Sequence, residues 1–364
     1  MALTCGLIGL PTVGKTTFFN LLTHANAETL NFFSGKTEAN VGVATIPDER
    51  VEYLSKLYRP KKTTFAQLEV TDVVGLVRGA SEGKGAGNTF LARIRNVDAL
   101  VHILRVFKND EVLHVEGSID PLRDLETVNL ELWLADLEMV EKRIERIKTG
   151  KKIKAENQAE LAVLEKLKAG LEADKGIHQL DLSEEESRLV RHFAFLTEKP
   201  MILVVNLDED QLTGGSYPQK EALYDYAEQQ GLPLLEICAK TEMEISQLSQ
   251  EDQTVFMAEL GITEPGINRL ARAMYQSLGL ISFFTVGEDE VKAWTINRGT
   301  DAKRAAGKIH SDIERGFIRA EVVRFSDLQE LSSMAKVKEK GLFRLEGKDY
   351  VVEDGDIINF RFNV

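Results

Sequence analysis

Residues 9–16 read Gly9-Leu10-Pro11-Thr12-Val13-Gly14-Lys15-Thr16, the pattern G-x-x-x-x-G-K-T, set between an apolar run, Thr4 to Ile8, and a helical stretch that begins at Lys15. Glycines at these positions let the backbone curl so that its N–H groups surround a phosphate chain. The lysine bridges the terminal phosphates and the threonine ligates magnesium. The strand before and the helix after distinguish the motif from an ordinary glycine-rich turn and predict a nucleoside triphosphate site. Leu10, Pro11, Thr12, Val13, Gly14, Lys15, Thr16 and Thr17 are the expected nucleotide contacts, with Lys15 also catalytic and Thr16 a metal ligand.

Working outward, short apolar runs alternate with amphipathic helices up to about residue 122. Thr4 to Ile8, Phe65 to Thr71 and Ala99 to Val106 have the composition of strands, and the alternation resumes at Met201 to Val205 and Leu234 to Cys238. Such a pattern predicts an α/β domain with a parallel sheet covered on both faces. Between its halves, Leu130, Leu134, Leu137, Val140, Ile144 and Ile147 step by three and four, and Leu161, Leu164, Leu167 and Leu171 follow after a Lys-rich break. Two antiparallel helices are expected there, the first about 27 Å long, either as a packed pair or as an arm that contacts a partner.

A helix-like segment, Gly266 to Leu278, closes the α/β domain, and the composition then changes. From Ile281 to Val364 there are 14 Lys plus Arg against 15 Asp plus Glu, in a chain whose net charge is −13. Runs at Ser282 to Val286, Ala293 to Ile296, Ala320 to Phe325, Tyr350 to Val352 and Ile357 to Phe362, with a helix near Ala302 to Ser311, predict a small mixed sheet packed on a helix. The expected domains are 1–122 with 200–280, an insertion at 123–199, and 281–364.

A chain of 364 residues, 43% hydrophobic and 28% charged, has room for two or three soluble domains. Its acidic balance argues against indiscriminate nucleic-acid binding, and DNA is not an expected partner. Cys5 and Cys238 lie far apart in apolar runs, so no disulfide framework is expected and a reducing, cytoplasmic location is. No basic leader precedes the first apolar run, and no run approaches the ~18 residues of a membrane span.

Asp72-Val73-Val74-Gly75 stands where the Phe65 to Thr71 strand ends. There Asp72 can reach magnesium through water while the Gly75 N–H meets the γ-phosphate. Leu76 follows, where many switch GTPases carry the glutamine that orients the attacking water, and then a stretch rich in glycine, Gly79, Gly83, Gly85 and Gly87. Leucine cannot orient water, so another residue does so, or hydrolysis is slow until a partner completes the site. His114, in the loop-like segment Asp110 to Gly117, is a candidate, and so is a plain surface role for it. Thr37 is the candidate further magnesium ligand.

Base selection falls to Asn206-Leu207-Asp208-Glu209 at the end of the Met201 to Val205 strand. Guanine-specific sites read Asn-Lys-x-Asp, with the aspartate accepting two protons from the base. A glutamate at the fourth position is displaced from that geometry, and losing both bonds removes ~3 to 6 kcal/mol of guanine preference. Asn206, Leu207 and Glu209 are expected at the base, with Cys238 and Ala239 of Cys238-Ala239-Lys240 lying against it. Asp208, one position early, leaves guanine open if a small backbone shift lets it reach the base.

Together these motifs resemble the Obg-like ATPase family, also called YchF. The resemblance spans the chain and is most specific at Ala293-Trp294-Thr295-Ile296, Ala306-Gly307-Lys308-Ile309-His310, Gly316-Phe317-Ile318-Arg319-Ala320, Glu353-Asp354-Gly355-Asp356 and Phe362-Asn363-Val364. It implies a P-loop G-type domain, an inserted α-helical coiled-coil hairpin and a C-terminal β-grasp (TGS) domain. It further implies hydrolysis of ATP in preference to GTP, a hydrophobic residue replacing the catalytic glutamine, and association with the ribosome. Two departures stand out: the family's Cys-Thr-Ile-Glu-Pro-Asn segment puts its threonine on Lys36 rather than Thr37, and its usual asparagine is replaced by Thr12.

The expected function is thus a monomeric, magnesium-dependent ATPase acting as a switch on ribosomal subunits and rRNA. The alternatives are an Obg-type GTPase with RNA or ribosome partners, and an ATP-dependent scaffold with little turnover. Lys303, Arg304, Lys308, Arg315 and Arg319 form a candidate phosphate-contacting face, and Phe317, Phe325, Phe343, Tyr350 and Phe360 are read as β-core before base-stacking platforms.

Overall fold

The apolar run before the phosphate loop forms the centre of a parallel sheet. A computed structural model describes residues 3–25, 40–72, 86–150, 155–173 and 175–363. The chain divides into two compact units, Met1–Gly42 with Glu69–Arg269, and Val43–Leu68 with Leu270–Val364. Its strands, in chain order, begin with β1 (Thr4–Ile8), β2 (Asn40–Thr45), β3 (Lys62–Thr64), β4 (Gln67–Asp72), β5 (Ala99–Arg105), β6 (Met201–Asn206) and β7 (Leu234–Ile237).

The first sheet has the order β2-β4-β1-β5-β6-β7. β1 pairs in parallel with β4 and β5, and β5, β6 and β7 continue the parallel array. β5 is buried along its whole length, as a central strand covered on both faces must be. In such a sheet the loops at the carboxyl ends of the strands form the ligand crevice, so residues 9–14, Asp72 and Asn206 share one rim.

The insertion opens with a helix from Pro121 to Lys148, capped by Asp120 with proline in the first turn. At 28 residues it is about 42 Å long, longer than the periodicity predicts, because its first turns pack against the sheet domain. Leu125, Val128 and Leu132 are buried there, whereas Leu130 and Leu134 are 49% and 40% exposed, so the predicted stripe holds only from Leu137 onward. Beyond that point Val140, Ile144 and Ile147 pack with Leu164, Leu167 and Leu171 of the helix Ala155–Glu172. Among the described residues no helix is long and apolar enough to cross a membrane.

The second unit contains β8 (Leu280–Val286), β9 (Glu290–Asn297), β10 (Phe317–Arg324), β11 (Arg344–Glu346) and β12 (Asp356–Phe362). Their sheet runs β11-β10-β12-β8-β9-β3, with β12 parallel to β8, β3 parallel to β9, and antiparallel pairs at β8–β9, β10–β12 and β10–β11. The helix Ala302–Ile309 buries Ala302, Ala305 and Ala306 on this mixed sheet against Phe283, Val322 and Phe360, an arrangement of TGS type. Two expected strands differ. Tyr350 to Val352 makes only an isolated bridge from Val351 to Asp301, and Phe325 starts a helix, Phe325–Leu331, because β10 ends at Arg324.

Candidate nucleotide site

The phosphate loop is shaped by three residues in the positive-φ region: Gly9 at φ +143°, Thr12 at +63° and Gly14 at +102°. A Cβ on Gly9 would lie 2.5 Å from the Ile103 carbonyl oxygen, and one on Gly14 would lie 2.4 Å from Asn206 Nδ2. Both positions therefore require glycine for space as well as for backbone freedom. Thr12 has neither allowance; its Oγ1 donates to the Leu113 carbonyl at 3.1 Å.

Lys15 is buried, and its Nζ donates to the carbonyls of Gly9 at 3.1 Å and Leu10 at 2.7 Å. Desolvation lowers its pKa to about 8, with the nearby Asp72 charge pulling the other way. Beside it Thr16 Oγ1 donates to Asp72 Oδ2 at 2.8 Å, so the two predicted metal-site oxygens do converge from different elements. Hydroxyl and carboxylate oxygens suit a hard cation such as magnesium, which takes its other ligands from phosphates and water. Thr17 is half-buried one residue further along the helix. Thr37, Gly75 and Leu76 lie outside the described residues. Beneath the loop, the β5 residue His102 is wholly buried with neither ring nitrogen bonded among the described residues; burial and then the Lys15 charge push its pKa down to about 3, so it is neutral.

In Asn206-Leu207-Asp208-Glu209 each residue has distinct surroundings. Asn206 is buried, its Nδ2 donating to the Val13 carbonyl at 2.9 Å and its Oδ1 accepting from the Ala239 N–H at 3.2 Å. It therefore ties the phosphate loop to the Cys238-Ala239-Lys240 loop. Leu207 turns into the hydrophobic core with Leu104, Val106 and Leu125, away from the rim. Asp208 caps the helix Glu209–Gly214: Oδ1 accepts from the Gln211 N–H at 2.9 Å and Oδ2 from the Lys108 N–H at 3.2 Å. Glu209 is exposed, and its carboxylate has no hydrogen bond or ion pair among the described residues. Cys238 and Ala239 are both buried, with Cys238 Sγ 3.1 Å from Thr241 Oγ1.

His114 stands one residue from the Thr12 contact, yet its ring turns inward. Nδ1 accepts from the Glu116 N–H at 3.2 Å, and Nε2 lies 2.9 Å from Asp124 Oδ2. The two side chains are only 4% and 2% exposed. The approach is close but not aligned as a hydrogen bond. Asp124 Oδ1 accepts from Arg123 Nε and Nη2 at 3.0 and 2.7 Å.

With this geometry in view, the chain was compared with known proteins. The model of the YchF-GTPase C-terminal family, described as "Protein of unknown function (DUF933)", matches residues 280–363, and that of the 50S ribosome-binding GTPases matches residues 4–140. A protein of Bacillus subtilis (strain 168) named ribosome-binding ATPase YchF is 47% identical, with all of both chains covered. The chain belongs to the YchF family. A YchF of Escherichia coli O157:H7 with the same name is 44% identical, again over the whole of both chains. The structure titled for the Schizosaccharomyces pombe YchF GTPase superposes with a TM-score of 0.86 at 33% identity, covering 99% of this chain and 98% of that one.

For a YchF-family site, sequence reasoning missed the residues that hold the rim together. Arg105, almost wholly buried, donates from Nη2 to the Val112 carbonyl at 2.8 Å and from Nε to the Phe107 carbonyl at 3.2 Å, with its guanidinium 4.3 Å from the Phe107 ring centre. It thereby shapes the segment between β5 and His114. Nothing in the local pattern announces this, since an arginine ending a strand is ordinary. Asp208-x-x-Gln211, by contrast, is a capping-box spacing: the Asp208 N–H donates to Gln211 Oε1 at 3.1 Å.

Proposed function

We propose that this protein is a magnesium-dependent ATPase that acts as a nucleotide-controlled switch on the ribosome, in the cytoplasm and as a monomer. The observation that carries the choice of base is the engagement of Asp208. Its two carboxylate oxygens serve the Gln211 and Lys108 amides, and Glu209 is left as the free acid at the rim. Guanine recognition needs a correctly placed acid to receive N1 and N2 protons, and a buried polar mismatch is costly. The names of the B. subtilis and E. coli relatives, ribosome-binding ATPase YchF, support the same reading.

In this proposal Lys15 and the loop amides hold the β- and γ-phosphates, Thr16 ligates magnesium with Asp72 behind it, and Thr37 and Gly75 serve as further metal ligand and γ-phosphate sensor. Bound magnesium would offset charge on the phosphate oxygens. Asn206 fixes the two loops that border the base, while Leu207, Cys238 and Ala239 supply backbone and packing there. His114 orients the attacking water, the task for which Leu76 has no chemistry. The segments 1–122 with 200–280, 123–199 and 281–364 act as nucleotide domain, arm and ribosome-facing module. Lys303, Lys308 and Arg319 offer exposed charge to rRNA, whereas Arg304 and Arg315 pair with Asp301 and Asp312.

The test is equilibrium titration of nucleotide-free protein with ATP and GTP, each with magnesium, for the wild type and Glu209→Asp, followed by steady-state turnover with and without ribosomes. Tighter ATP binding, a shift toward GTP in the variant and ribosome-stimulated hydrolysis are expected. Wild-type preference for GTP would overturn the base assignment, and absence of turnover under both conditions would leave an ATP-dependent scaffold.

A further inference from the structure

We propose that Asp124 is a restraint on His114. Its carboxylate, in the first turn of the helix Pro121–Lys148, keeps the imidazole turned away from the phosphate loop until a partner displaces that turn. The inference rests on the reading of His114 as the water-orienting group.

Three observations carry it. The backbone next to the ring is already tied to the loop, through Thr12 Oγ1 and the Leu113 carbonyl, so the imidazole needs rotation rather than long travel to face the phosphates. In the inward position Nδ1 accepts from the Glu116 N–H and Nε2 lies 2.9 Å from Asp124 Oδ2, so both ring nitrogens face protein groups of the inward side. The hold is also imperfect: His114 Nε2, Asp124 Oδ2 and Arg105 Nη1 are all buried without an aligned hydrogen bond among the described residues. A buried polar contact with poor alignment falls short of a good charge-assisted bond and is readily exchanged for another. Asp124 Oδ1 is held by the neighbouring Arg123, which leaves Oδ2 as the oxygen that faces the imidazole.

A ligand or partner shifts a two-state equilibrium only by its differential contacts, and the helix is where such contacts would act. Asp124→Asn, with Asp124→Glu beside it in case the amide variant folds poorly, is to be assayed for ATP turnover without ribosomes, ATP affinity and ribosome stimulation. Loss of the restraint is expected to raise partner-independent turnover about fivefold at unchanged ATP affinity and to shrink ribosome stimulation correspondingly. Adding His114→Ala should return turnover to the level of His114→Ala alone. Turnover that is unchanged or lower in both Asp124 variants, with ATP affinity intact, overturns the restraint. If His114→Ala by itself retains full turnover, the reading of His114 fails instead, whatever the Asp124 variants do.

Discussion

Gly14 and Asn206 are far apart in sequence and fit each other so closely that a single added carbon on Gly14 would stand 2.4 Å from Asn206 Nδ2. The glycine of the phosphate loop is therefore dictated by the base motif as well as by its own φ of +102°. Gly14→Ala should cost about 2–4 kcal/mol, combining positive-φ strain with the loss of the buried Asn206–Val13 bond. Denaturant unfolding of Gly14→Ala, Asn206→Ala and the double variant checks this. The two changes should be strongly non-additive, because the second removes the atom that the first collides with. Additive losses would contradict the steric account.

Thr12 sits at φ +63°, a region in which a β-branched residue is an outlier and asparagine is enriched. Thr12→Asn should stabilise the protein by up to about 1 kcal/mol, since an amide can still reach the Leu113 carbonyl. A fall in the denaturant midpoint would show that the hydroxyl contact outweighs the strain.

Lys15 titrates near 8 in the folded chain because burial disfavours its charge. Without nucleotide, its folded pKa lies below the unfolded one. Its contribution to stability is thus present above about 10.4 and lost as pH falls toward 8. In the proposed site ATP affinity has the opposite sign, because the ammonium is the form that would face phosphate. The ATP dissociation constant should rise above pH 8, by at most about tenfold per pH unit for one proton. Lys15→Arg should flatten the profile. Calorimetric titration from roughly pH 7 to 9.5, spanning the folded pKa, measures both.

Asp136 is wholly buried and accepts from Arg95 Nη1 and from the Leu196 and Thr197 amides, with the Thr197 hydroxyl as a further donor. Removing it leaves a half-buried cation without its carboxylate and two buried N–H groups without an acceptor. Asp136→Ala should cost about 3–5 kcal/mol, and Asp136→Asn less, since it keeps one oxygen. Equal losses from the two would show that the charge, not the acceptor geometry, is what matters.

How legible was this in the sequence? The central strands and the loop were, because β1, β5 and β6 are near-continuous apolar runs and their ends carry the motifs. What could not be seen is whatever depends on partners distant in the chain. Lys62–Thr64 looks like an exposed loop until it pairs with β9. Leu130 and Leu134 follow helical spacing yet stay exposed, because the helix buries a different face in its first half. The site residues followed the same division. Lys15, Thr16 and Asp72 were placed by motif, whereas the work of Asp124 and Arg105 arises from tertiary contacts alone. Asp208 lies between these cases, since its capping role was written in the spacing to Gln211.

Among the buried carboxylates of the long helix, Asp124 stands against His114 and Asp136 against Arg95. Asp136 is the better anchored of the pair, and it stands midway between Asp124 and Lys148, the last residue of the helix. Each half measures about 18 Å at 1.5 Å per residue. A stiff rod pinned at its middle is a lever of equal arms. In the proposed restraint a push on the hairpin end would reach Asp124 with its direction reversed, and over an arm of about 18 Å a tilt of about three degrees would shift the carboxylate by about 1 Å.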